Sequence, residues 1–163
     1  MTAVYVNCNT AMKNYLILET DRNKGKGVDE EGNIHTFDMP AQQLIRTWCL
    51  RNAATMKGRQ DAARTLFGWH QKIPVLISEN SQEIWFPTAG EKAEKNTWVR
   101  YEGVFSFHKK NEYETLIRLI NGTECVIACN VRTVRMQMKR CQQLLDYLSR
   151  TKEEDFGHPL KFL

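Results

Sequence analysis

Arg132, Arg135, Lys139 and Arg150 stand in one segment near the C-terminus whose apolar residues recur at helical spacing. On a helix these four cations lie about 100–160° from the line of Val134, Met138, Cys141, Leu145 and Leu148. A face that serves only to keep a helix in water usually mixes acids and bases one turn apart, and this one carries no interleaved glutamate. Cations projecting together from one side are suited to phosphate oxygens. A second group, Arg51, Lys57, Arg59, Arg64 and Lys72, surrounds Gly58. An arginine beside a glycine, on a backbone free to approach closely, suits a narrow A/T minor groove, where the negative potential is deepest. Arg140 falls on the opposite flank of the helix and reads equally as a structural ion pair or a nucleic-acid contact. Lys109 and Lys110 sit at an expected hairpin tip, where lysines usually only solubilise.

The formal charge of +4 is modest, but its distribution is uneven. Residues 39–72 carry six Lys or Arg against one acid, and residues 130–152 again six against one. If folding joins the two segments, one strongly basic surface results on an otherwise balanced molecule.

Other chemistry finds less support. There is no Gly-x-x-x-x-Gly-Lys phosphate loop, and His35, His70, His108 and His158 are scattered, so no enzyme is expected. Cys8, Cys49, Cys125, Cys129 and Cys141 are an odd set that fits reduced thiols. Cys125 and Cys129 lack a second ligand pair at zinc spacing and read as core or strand-end residues, and no cofactor is expected. No apolar run approaches the roughly 20 residues of a membrane span, and the N-terminus lacks signal-peptide regions, so a cytoplasmic protein without membrane contact is expected.

The elements that must position these side chains follow from periodicity. Strands are expected at Ala3 to Asn7 and Tyr15 to Thr20, followed by a glycine-rich turn from Asp21 to Gly27 and a hairpin from Val28 to Phe37. Asp38 and Pro40 signal the start of a helix from Met39 to Asn52, with Leu44, Ile45, Trp48 and Cys49 on its buried face. Residues 53–72 read equally as helix or loop. Period-two alternation returns at Ile73 to Ser78 and Glu83 to Phe86. From Trp98 to His108, Val99, Tyr101, Phe105 and Phe107 alternate with polar residues as one half-buried strand. That strand opens a three-stranded meander through Tyr113 to Ile120 and Thr123 to Ala128, with Asn121-Gly122 as a type I′ turn. A helix capped by Asn130 or Thr133 closes the fold. The expected class is α+β: an antiparallel sheet with a C-terminal β-meander packed against a few helices, one domain over residues 1–152, and a tail over 153–163, docked or flexible. Trp48, Trp69, Trp85 and Trp98 are expected mainly in the core, and Phe86-Pro87-Thr88 as a packed strand end.

The run Lys72-Ile73-Pro74 through Phe86-Pro87-Thr88 resembles the central signature of the competence transcription factor (ComK) family, in which a Lys-x-Pro strand leads a dozen residues later to Phe-Pro-Thr. Gln43, Cys49, Gly58-Arg59, Trp98, Asn121-Gly122, Gln137 and Arg140 match in order around it. The segment from Asn52 to Trp69 and the tail depart from the pattern. The resemblance implies a bacterial activator of DNA-uptake genes that binds paired A/T-rich boxes of double-stranded DNA as a homo-oligomer, largely from the minor groove, and is therefore nucleoid-associated. It also implies regulated proteolysis through an adaptor and a Clp ATPase. In the tail, Phe156, Leu160, Phe162 and Leu163 are too apolar for an ordinary solvated end, so they either dock or serve as the handle for such a partner. Two alternatives remain open: an RNA- or single-stranded-DNA-binding protein, which would stack bases on exposed aromatics, and a family member acting only through protein partners.

Overall fold

A computed structural model describes residues 14–157 of the chain. The expected strand at Ala3 to Asn7, Cys8, and the tail residues Leu160, Phe162 and Leu163 lie outside the described residues.

Strand β1 (Tyr15–Asp21) starts the central sheet and is buried on both faces. Tyr15 and Leu18 join one core while Leu16 and Ile17 join the other, because a bulge between Tyr15 and Ile17 interrupts strict alternation. The chain returns as β2 (Lys24–Asp29) and β3 (Ile34–Phe37), the expected second hairpin. The stretch from Asp21 to Gly27, expected as a turn, is therefore largely strand. Its glycines allow close approach: Gly25 lies against the Phe37 ring, and a Cβ on Gly27 would come within 2.7 Å of the Tyr15 ring.

Helix α1 (Ala41–Arg51) buries Leu44, Ile45, Trp48 and Cys49, the expected face. Pro40 occupies the N-cap position, and the Ala41 N–H donates to Thr20 Oγ1 at 2.8 Å, so the first turn is anchored to β1 without Asp38. The undecided stretch is a second helix, α2 (Met56–Phe67). Its punctuation is local. The Thr55 hydroxyl caps it by accepting the Gly58 N–H at 2.9 Å, and Gly68 ends it in the left-handed region at φ 71°. Strands β4 (Val75–Ser78), β5 (Glu83–Pro87) and β6 (Lys95–Arg100) complete a six-stranded antiparallel sheet in the order β3-β2-β1-β6-β5-β4.

The expected single strand from Trp98 to His108 is two strands in different sheets. The chain leaves the central sheet through a 3-10 turn at Tyr101–Gly103, where Gly103 packs so closely on Leu16 that a Cβ would come within 2.9 Å of it. It then enters β7 (Val104–Lys109) of a three-stranded antiparallel sheet with β8 (Thr115–Leu119) and β9 (Glu124–Ile127). A bulge between Val104 and Ser106 turns Phe105 out, leaving it 69% exposed rather than inward-facing. The meander thus stands, with a later start. Its second turn is not type I′: only Gly122 has positive φ, while Asn121 contributes its side chain, Oδ1 accepting the Thr123 N–H at 2.9 Å. Asn121 Nδ2 also donates to the Glu30 carbonyl at 2.9 Å, tying this turn to the β2–β3 turn.

Helix α3 (Val131–Gly157) follows, with Asn130 Oδ1 accepting the Thr133 N–H at 2.9 Å as the cap. One core packs α1 on the central sheet through Trp48, Trp85, Trp98 and Tyr15. The other packs the small sheet and α3 on the opposite face through Ile117, Leu119, Ile127, Val134, Cys141 and Leu144. The fold is α+β with antiparallel sheets and helices, as expected. No helix among the described residues is long and apolar enough to cross a membrane.

Candidate nucleic-acid interface

Helix α3 is oriented by what its inner face touches. Val134, Cys141 and Leu144 are buried, and Met138, Leu145 and Leu148 are half-buried against the same core. Gln137, at 0% exposure, points inward among them. Its Nε2 donates to the Lys72 carbonyl at 2.6 Å and the Pro87 carbonyl at 2.7 Å. One amide therefore joins α3 to the chain just before β4 and to the end of β5. Lys72 itself is held in the left-handed region at φ 52°.

With the inner face fixed, the outer face follows. Arg132, Arg135 and Lys139 are exposed and, with Met136, Arg140 and Gln143, line a shallow open depression of about 410 Å³. Among the described residues, no carboxylate lies within ion-pairing distance of Arg132, Arg135 or Lys139. Arg150 stands apart, about 16 Å further along the helix, with its Nε directed at the Asp146 carbonyl at 3.4 Å.

Arg140 has no carboxylate partner among the described residues, so the ion pair weighed from sequence is not made. Its Nη1 donates to the Gln71 carbonyl at 2.8 Å, and its guanidinium lies 5.2 Å from the centre of the Trp69 ring. Burial pulls its pKa below the ordinary arginine value. Its partners are a carbonyl and a ring, which makes it a structural tie at the rim of the basic depression.

The first basic segment meets α3 through its end and through the shared core that holds Ala63. Phe67 meets Tyr147 edge-to-face at 5.7 Å, and Trp69, Gln71 and Lys72 make the contacts just described. Its other cations are differently employed. Arg59 lies in α2, not in a free loop, and its Nη1 is 3.3 Å from Glu79 Oε1. Arg64 pairs with Asp61 at 2.8 Å. Lys57 is exposed in the first turn of α2, and Arg51 is exposed at the end of α1, where a cation suits the helix dipole.

All four tryptophans are at most 7% exposed, in agreement with the core reading. Phe86, Pro87 and Thr88 are buried as a strand end. Cys49 and Cys141 are buried in the cores, while Cys125 lies in β9 and Cys129 just beyond it, half-buried. Burial pushes the Cys49 and Cys129 thiols up to about 11 and the Cys141 thiol higher still. The side chain that sequence alone leaves without a role is Gln137, which the resemblance matches but whose inward-facing amide appears only in the fold.

A family model described as ComK protein matches residues 6–153. No curated protein and no solved structure matches the chain.

Proposed function

This chain belongs to the ComK family of competence transcription factors, and on that footing we propose that it activates DNA-uptake genes by binding A/T-rich double-stranded DNA. The observation that carries the reading is the set of Arg132, Arg135 and Lys139 on one exposed side of α3 with no carboxylate partner among the described residues. Cations left unpaired in a fold that pairs Arg59, Arg64, Arg100 and Arg118 are available to phosphate.

In this mechanism α3 supplies sequence-independent contacts, and its inner lock to Lys72 and Pro87 fixes the angle at which they are presented. Minor-groove entry by Arg59 requires its guanidinium to leave Glu79, so that residue discriminates sequence only if DNA outcompetes the pair. Binding as a homo-oligomer on paired boxes belongs to the same reading, as does turnover through an adaptor and a Clp ATPase that grip the tail from Phe156. All four tryptophans are buried, so the single-strand alternative would have to stack bases on Phe105 and Tyr113, which are exposed.

Competition for a labelled A/T-box duplex tests the reading. Unlabelled A/T duplex should displace the probe at the lowest concentration, G/C duplex at a higher one, and single strands of either composition least well. Equal or better displacement by single strands would transfer the protein to the alternative class, and equal displacement by G/C duplex would remove the selective activator.

A further inference from the structure

The hairpin between β7 and β8 ends in a turn that is more ordered than a solubilising loop needs. Within it the Lys110 and Asn111 N–H groups both face the Glu114 carbonyl, at 3.1 and 3.3 Å. The Asn111 side chain accepts the Tyr113 N–H at 2.8 Å and donates to Glu114 Oε1 at 2.7 Å, drawing that carboxylate into the turn. What this frame presents outward is His108, Lys109, Lys110, the lone carboxylate of Glu112 and the Tyr113 ring, which is 77% exposed. Neither lysine has an ion-pair partner among the described residues. A large aromatic ring held in water by a built turn, beside two unpaired cations, has the chemistry of a surface that meets a polyanion bearing apolar sugar edges.

Position supports the same partner. Thr115, the first residue of β8, is opposite Ile127 of β9, and its hydroxyl donates to the Cys129 carbonyl at 2.8 Å, immediately before α3. The base of the tip therefore lies beside the N-terminal end of α3, where Arg132 and Arg135 stand.

We propose that the β7–β8 hairpin is a second duplex-contacting element, with Lys109 and Lys110 on the phosphates that flank the stretch covered by α3 and Tyr113 packed on deoxyribose. This rests on the duplex-binding reading above. The hairpin and α3 then bracket one backbone from two directions, which fixes the register of the protein on DNA as a single helix face cannot.

The test is fluorescence anisotropy of a labelled A/T-box duplex, and of a G/C duplex, across a range of KCl concentrations. Four proteins are compared: the parent, Lys109→Ala/Lys110→Ala, Tyr113→Ala, and a charge control, Arg46→Ala/Lys152→Ala. The control removes the same charge from the exposed side of α1 and the far end of α3. The lysine pair variant should lose about 2 from the magnitude of the log-affinity against log-salt slope, near 0.9 per phosphate contact, and weaken on both duplexes by the same factor. Tyr113→Ala should bind roughly five- to tenfold more weakly with its slope unchanged. The control should keep the parent slope. If the parent binds with a normal slope while the hairpin variants match the control, the inference fails and the duplex reading survives. A parent that binds no duplex overturns both, and its own curve identifies that case.

Discussion

Replacing Gln137 by Leu keeps nearly the same volume and removes only the amide. Two hydrogen bonds disappear: the buried Pro87 carbonyl is left unpaired, and the half-buried Lys72 carbonyl is left with the longer 3.4 Å contact from Arg140 Nη1. A buried carbonyl left unpaired costs about 1–3 kcal/mol, so the pair predicts a loss of roughly 2–5 kcal/mol, offset in part by burial of the leucine methyls. For a domain of this size 1 kcal/mol shifts the melting midpoint by about 2–4 °C, which places the variant about 5–15 °C below its parent. Arg140 should lose order with it, because its Nη1 lies 3.5 Å from Gln137 Oε1 and 3.4 Å from the Lys72 carbonyl. Thermal and urea unfolding, followed by tryptophan fluorescence, read the loss directly, and the urea m-value should not change. Duplex affinity well below the melting range should stay within a few-fold of the parent, because the cations on the outer face are untouched. A Gln137→Leu protein that melts within about a degree of its parent would refute the claim that this amide locks α3 to the signature segment.

Asp29 offers a pH test. The His35 Nε2–Asp29 Oδ2 hydrogen bond of 2.7 Å, helped by the Asn33 and Glu31 N–H groups, holds the Asp29 carboxyl below its ordinary pKa despite burial. A depressed carboxyl stabilises the fold above its unfolded pKa near 4, and that contribution fades as pH falls through the lowered value. Asp29→Asn should therefore melt several degrees lower at neutral pH and converge with the parent in strong acid; parallel melting curves at every pH would contradict it. With thiols pushed to about 11, Cys49 and Cys129 should resist iodoacetamide at pH 8 in the native protein and react promptly in urea, as should Cys141; mapping of alkylated peptides checks this, and rapid native labelling of Cys49 would count against the packing. Deleting residues 156–163 should lengthen the protein's lifetime in cells containing the adaptor and protease while duplex affinity stays at the parent value; degradation at the full-length rate would remove the tail as the handle.

Local chemistry explains what could be read before folding. The meander and α3 were legible because alternation, an asparagine cap and a five-residue apolar stripe are all written within short windows. Helix α2 was not, since Gly58 and Gly68 look like loop residues unless one knows that the first stands beside the Thr55 cap and the second is the left-handed stop. The break between β6 and β7 was hidden for another reason: a three-residue 3-10 turn and a one-residue bulge leave period-two alternation intact on paper while the chain changes sheets. The common exposed side of Arg132, Arg135 and Lys139 was legible from spacing alone, because one helix presents them. The Arg59 ion pair was not legible, because its partner Glu79 lies twenty residues away and meets it only in the folded chain. The signature residues were recognised as a pattern, yet their shared role appears only in three dimensions: Lys72, Pro87, Gln137 and Arg140 are parts of one internal lock.

The central claim is that α3 binds duplex through the phosphate backbone, and a salt titration of Arg132→Ala/Arg135→Ala/Lys139→Ala beside the parent tests it most directly. The parent should show a log-affinity against log-salt slope of roughly −4 to −7, and the variant should lose about 3 from that magnitude while melting at the parent temperature and weakening equally on A/T and control duplexes. An unchanged slope in a folded variant would contradict the account, because these three cations, unpaired in the fold, would then have no partner on DNA either.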